Sequence, residues 1–203
     1  MNKIDNIFTE STDIRDFSKK YSEYLSEIFN KIKLEQIEKF VDILLNAREK
    51  GSTIFFIGNG GSASTASHFA NDIAIGTKSL DKPFKALSLT DNISIISAIG
   101  NDYSFDDIFF QQLKLYLKKD DIVVAISASG NSKNIIKAID FANKNGGISI
   151  GISAFNGGDL LRNSQYSIHV PTENGEYGPA EDIHLIINHI VSNFLLRKVA
   201  NKS

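Results

Sequence analysis

His68 and Asp72 stand four residues apart in a stretch of helical texture, so both side chains project from one helix face. An imidazole and a carboxylate at that spacing can hold a divalent cation or pass a proton between them. A solvated ion pair is the commoner use of the same spacing. Glu181 and His189 lie eight apart in the last helical segment. Eight residues turn about 80° around a helix and rise about 12 Å, so the two share an ion only if both side chains reach inward. His184 lies about 60° to the other side of Glu181. By spacing alone this helix is amphipathic with polar residues at its start. His169 alternates with Ile168 and Val170, which predicts an outward-facing strand residue. There is no Cys, so no thiolate site, thiol nucleophile or disulfide is available. Any metal must be held by His, carboxylate or amide.

Two further segments suit an anion. Gly58-Asn59-Gly60-Gly61-Ser62 ends an apolar run and opens a helical pattern. Its glycines let backbone approach a ligand, and the helix start offers unpaired N–H groups. The plainer reading is a tight turn capped by Ser62. Through Ala63 the string also matches G-x-G-x-x-A, but the acidic residue expected about 20 residues on is out of place. Asp81 has that spacing and precedes Pro83 and the next strand, so a dinucleotide site is not supported. Neither is a nucleotide triphosphate site, since no G-x-x-x-x-G-K-[ST] occurs. The second segment is Ser127-Ala128-Ser129-Gly130-Asn131-Ser132. Three hydroxyls at a strand-to-helix turn suit a phosphate without any Lys or Arg, where one would be only a cap.

These residues are positioned by an alternating chain. Apolar runs at Thr53–Ile57, Ala86–Leu89, Ile122–Ile126, Ser149–Ile152 and Ser167–Val170 predict five strands. Helical patterns cover 62–76, 91–99, 106–118, 132–145, 157–163 and 180–199. The alternation predicts an α/β fold with a mostly parallel sheet covered by helices on both faces. IFFIGNGGSAS at 54–64 and VVAISASGNSKN at 123–134 repeat one plan, strand then small-residue turn then helix. Ligands in open α/β sheets bind at such carboxyl ends. Before the sheet, three- and four-residue steps predict helices at 12–32 and 34–49, the second stopped by Gly51. They would either cap the sheet or pack on another subunit. The expected organisation is one domain over 1–203, an N-terminal helical extension of 1–50 and an α/β core of 51–203.

The bulk properties narrow the classes. The chain has 203 residues, with 22 Lys+Arg against 24 Asp+Glu, so it carries no basic field for bulk nucleic-acid binding. No run of about 18 apolar residues predicts a membrane span. No secretory leader is visible in MNKIDNIFTESTDIRDF, and the expected location is cytoplasmic.

Taken in order, GNGGSAS, ALSLTD, AIGNDYSFDDIF and ISASGNSKNIIKAI resemble the sugar isomerase (SIS) domain family, and within it the phosphoheptose isomerase branch. The resemblance begins near Gly51 and includes the helical lead-in. It implies an SIS-type three-layer sandwich with a five-stranded sheet, and a homotetramer with sites shared between subunits. Asn59, Gly60, Gly61 and Ser62 would contact the sugar phosphate, with Ser127, Ala128, Ser129 and Ser132 around the phosphate itself. Asn101 and Asp102 would line the substrate. His68, Asp72, Glu181 and His189 would bind zinc or another divalent metal such as manganese or iron, Glu181 would also meet substrate, and Asp72 and His189 would be the acid/base pair. The chain departs from the family at Asp72, where Glu is usual, and at Glu181, where Gln is usual. Gly76-Thr77 replaces a Gly-Arg pair, leaving Lys78 as the nearest cation, and the lead-in at 173–179 also differs.

The implied activity is aldose–ketose isomerisation of sedoheptulose 7-phosphate to glycero-manno-heptose 7-phosphate through an enediol. This belongs to carbohydrate metabolism and lipopolysaccharide biosynthesis. Two alternatives stand beside it. One is isomerisation of a different phosphosugar in surface-polysaccharide synthesis. The other is a non-catalytic SIS protein that binds phosphosugars or associates with a replication initiator, a role that needs none of His68, Asp72 and His189.

Overall fold

The computed structural model describes residues 2–79 and 81–200. Five short runs rich in Ile, Val and Phe form strands β1 (Thr53–Gly58), β2 (Lys85–Ser88), β3 (Ile122–Ser127), β4 (Ile148–Ser153) and β5 (Tyr166–His169). All pair in parallel, in the order β2-β1-β3-β4-β5. Parallel pairing needs crossover helices on the faces, which is why the central strands are apolar on both sides. Ile54, Phe56 and Val124 point to one layer, Phe55, Ile57 and Val123 to the other.

The first layer holds α1 (Lys3–Glu10), α2 (Ile14–Phe29), α3 (Leu34–Lys50), α4 (Gly61–Asn71) and α9 (Tyr177–Ala200). The second holds α5 (Ile93–Asp102), α6 (Phe110–Tyr116), α7 (Lys133–Lys144) and α8 (Gly158–Asn163). Phe69 anchors α4 between Phe56, ring centroids 5.0 Å apart, and Phe40 of α3, 5.7 Å away. Losing a ring buried this way costs about 3–5 kcal/mol. The neighbouring His68, about 100° around the helix from Phe69, is exposed.

Several boundaries differ from those expected. The helix expected at 12–32 is α2, shorter at both ends because Asp13 takes extended backbone and caps Arg15 and Asp16 while the helix stops at Phe29, and α1 precedes it where no helix was expected. The preceding α1 begins with a reciprocal capping box between Asn2 and Asp5. The helix at 62–76 is α4 followed by a π-helical turn, Asp72–Gly76. The segment 106–118 is a 3₁₀ turn, Phe105–Asp107, and then α6. The last helix starts at Tyr177, with Pro179 in its first turn. Gly51 ends α3 in the left-handed conformation, as its position predicts.

The lead-in caps the sheet. Phe40 and Val41 are buried in the first layer, and Phe17, Leu25 and Phe29 pack against it. Tyr24 donates to Glu176 over 2.5 Å and Tyr21 to Asp182 over 2.5 Å. Burial first, and then the facing carboxylates, push both phenols well above their usual pKa. Glu176 is buried and also accepts from the backbone N–H groups of Ile4 and Glu173.

Candidate active site

From β1 the chain passes outward to β2, then returns to β3, β4 and β5. The order therefore reverses between β1 and β3, where an open α/β sheet leaves a crevice for ligands. Both small-residue loops follow these two strands. The first ends in Gly60 at φ +52° and hands over to α4. The second, 127–132, hands over to α7. Gly130 has φ +65°, and a side chain there would strike the Gly157 carbonyl, so only glycine fits. Asn59 and Asn134 donate to each other across the gap, both bonds 2.9 Å. Ser127 Oγ accepts from the Gly130 N–H and Ser129 Oγ from the Asn131 N–H. Ser132 occupies the cap position of α7, but its hydroxyl accepts no cap bond.

At the far end of α4, three expected residues converge. His68 Nε2 lies 3.3 Å from Asp72 Oδ2 and 3.4 Å from His189 Nε2. One ligand atom from each falls within 4.8 Å of the others. Ligands about 2.0–2.1 Å from a tetrahedral zinc stand about 3.3 Å apart, so the measured edges fit a small divalent cation. The π-helical turn begins at Asp72, where its wider coil meets α9. Asn71 donates to Asp72 Oδ1 over 3.3 Å, and the buried Asn188 donates to Oδ2 over 3.1 Å. Beside the trio, Asp72, Gly76, Ser192, Asn193 and Leu196 border a hollow of about 160 Å³.

Glu181 does not join the trio. Its carboxylate lies against the α carbon of Gly61, where any side chain would strike it. Burial, and then the charge of Asp182, raise its pKa. It stands at the start of α4, beside the first loop. Asn101 and Asp102 sit exposed at the C-terminal end of α5, bonded to each other over 2.8 Å. His169 is half-buried, not turned outward, with Nε2 3.0 Å from the Phe155 carbonyl. His184 is buried, and neither ring nitrogen has a hydrogen-bond partner among the described residues. Burial pushes its pKa down to about 4, the Ser153 backbone opposing the shift.

An SIS domain model matches residues 16–154. A phosphoheptose isomerase of Aneurinibacillus thermoaerophilus is 36% identical over 159 residues, 78% of this chain and 79% of that protein. The chain belongs to the phosphoheptose isomerase branch of the SIS domain family. A solved phosphoheptose isomerase from Neisseria gonorrhoeae is 26% identical, with TM-score 0.74, covering 88% of this chain and 92% of that one. Another, from Francisella tularensis, is 23% identical with TM-score 0.79 over 97% and 100%, and shares the fold. The five-stranded SIS sandwich is thus as expected, with every strand parallel.

Other polar residues of this SIS domain escaped the sequence reading. Ser67, Ser88 and Thr90 bond one another at the carboxyl end of β2, and Ser67 also donates to Asp91. Their motif, ALSLTD, was visible, but nothing in it shows that Ser67 of α4 meets it. Asn134 closes the Ser-rich motif, and only the fold reveals its partner.

Proposed function

We propose that the chain isomerises sedoheptulose 7-phosphate to glycero-manno-heptose 7-phosphate through an enediol, a reading in keeping with relatives named phosphoheptose isomerase. The convergence of His68, Asp72 and His189 from two helices and a π-helical turn carries this reading. A pure binding protein has no use for an imidazole pair and a carboxylate arranged this way. The loops at 58–62 and 127–132 bind the phosphate through the N-terminal amides of α4 and α7 and the hydroxyls of Ser129 and Ser132. Asp72 takes the proton from the hydroxyl-bearing carbon beside the carbonyl while the carbonyl oxygen gains one, giving the enediol, and His189 then returns a proton to the former carbonyl carbon as the neighbouring hydroxyl loses its own and becomes the aldehyde. His68, Asp72 and His189 would hold zinc, without Glu181, whose carboxylate lies at Gly61. Bound there, zinc would polarise the sugar's oxygens and offset developing negative charge. Glu181 and Asn101–Asp102 approach the sugar in the same reading.

A homotetramer in the cytoplasm, working in carbohydrate metabolism toward lipopolysaccharide or another surface polysaccharide, completes the proposal. Ile186, Ile190 and Phe194 form an exposed apolar stripe on α9, beside a groove that Ile37, Val41 and Leu45 help to line. Such a stripe next to His189 suits burial against another copy. No helix among the described residues is long and apolar enough to cross a membrane.

The test is incubation with sedoheptulose 7-phosphate and a panel of other phosphoketoses in deuterated water. Deuterium beside the carbonyl of the heptulose supports the reading. Exchange only with another sugar moves the assignment to that sugar. Exchange with none of them overturns catalysis and favours the binding role.

A further inference from the structure

We propose that Asn188 is a positioning residue that holds the Asp72 carboxylate toward His68 and His189. The inference rests on the metal-dependent isomerase reading above. Asn188 lies in the buried stripe of α9 with Ala180, Ile183, Ile187, Val191 and Leu195, and is itself fully buried. A leucine of similar size would fill that place. The amide is the feature needing a cause, because its Oδ1 has no partner among the described residues and a buried orphan acceptor is unfavourable. Its Nδ2 donates to Asp72 Oδ2 over 3.1 Å, the same oxygen that lies 3.3 Å from His68 Nε2. Turning the amide over would set an oxygen against a carboxylate, so the network fixes its orientation.

The bond divides the work between the carboxylate oxygens. Oδ2 is fixed from the protein interior, while Oδ1 faces the exposed Asn71 amide over 3.3 Å. If Asp72 swings outward, Nδ2 is stranded in a dry site. That keeps a short side chain aimed at the imidazoles. Hydrogen-bonding partners of ligating carboxylates orient them in this way, and their loss costs typically about 10–100-fold in metal affinity.

The test compares wild type with Asn188→Leu and Asn188→Asp. Zinc affinity is measured by competition with a chromophoric chelator in the absence of sugar, and kcat and KM are measured separately. Asn188→Leu should weaken zinc about 10–100-fold and lower kcat with KM little changed. Asn188→Asp, which sets an acceptor against Asp72, should do at least as much. Wild-type zinc affinity and kcat in a folded Asn188→Leu protein would overturn the inference. Failure of wild type itself to bind zinc would overturn the reading beneath it instead. If neither variant folds, the side-chain amide resonances of Asn188 decide in the wild-type protein. Movement on zinc addition supports the tether, and no movement overturns it.

Discussion

Asn59 and Asn134 exchange two side-chain hydrogen bonds, each 2.9 Å, across the gap between the β1 and β3 loops. Neither loop is therefore placed independently of the other. Replacing Asn134 with Leu leaves the half-buried Asn59 amide without these bonds, and replacing Asn59 leaves the buried Asn134 Nδ2 without an acceptor, each at a cost of about 1–3 kcal/mol. The double variant should cost clearly less than the sum of the two single ones. A double-mutant cycle by urea denaturation measures that difference, and additive losses would deny the coupling.

Ser127 and Ser132 should behave differently. Ser127→Ala loses an acceptor for the buried Gly130 N–H, so it should lower both stability and phosphosugar affinity. Ser132→Ala removes a hydroxyl that caps nothing, so the melting temperature should hold while affinity falls by about 1–3 kcal/mol. Calorimetric titration and thermal melts on the same samples separate the two.

Asp72→Asn and His189→Asn should each abolish deuterium exchange, because each removes a proposed proton carrier. Glu181→Gln should raise turnover. It removes a negative charge beside the first loop, where the proposed function seats the sugar phosphate. Lower turnover in a folded Glu181→Gln protein would show that the carboxylate itself is used.

His184 gives the fold an acid limit. Its folded pKa is about 4, below the unfolded value of about 6.5, so the unfolded chain binds the extra proton between them. The stability it contributes is complete above the unfolded value and is lost as pH falls toward about 4. The steepest slope is about 1.4 kcal/mol per pH unit for one proton. Denaturation midpoints of wild type and His184→Gln from pH 7.5 to 4.5 should converge as pH falls. A constant gap would mean that His184 does not titrate on unfolding.

Tyr24→Phe should destabilise the protein by about 1–3 kcal/mol, since Glu176 is buried and loses a short donor. Limited proteolysis should then cut first within α1 and α2. An unchanged digestion pattern would count against the clamp.

The sheet was legible because each strand is a short apolar run between turn residues. Gly51 and the two glycine-serine loops were legible because only such residues suit those turns. The π-helical turn at Asp72 was not, since a wider coil leaves no residue signature and 62–76 reads as one helix. The box between Asn2 and Asp5 was written in the sequence, yet the apolar periodicity drew the first helix further on. Three of the four expected metal ligands meet, because positions 68 and 72 share a face and α9 crosses them at 189. The placement of Glu181 against Gly61, and of Asn188 against Asp72, depends on how α4 and α9 cross. No spacing along one helix encodes that crossing.

The clamp between the first helices and α9 also governs how the chain is made. Ile4, Tyr21 and Tyr24 bond to residues 176 and 182, separated by 152 to 172 positions. His68 likewise waits for His189. During synthesis the earliest helices emerge with their partners still untranslated, and β1, β3 and β4 can pair well before α9 exists. The nascent protein thus carries a sheet with one face unfinished and no assembled trio. A chain ending before α9 would therefore lack both the cover on that face and the third member of the trio.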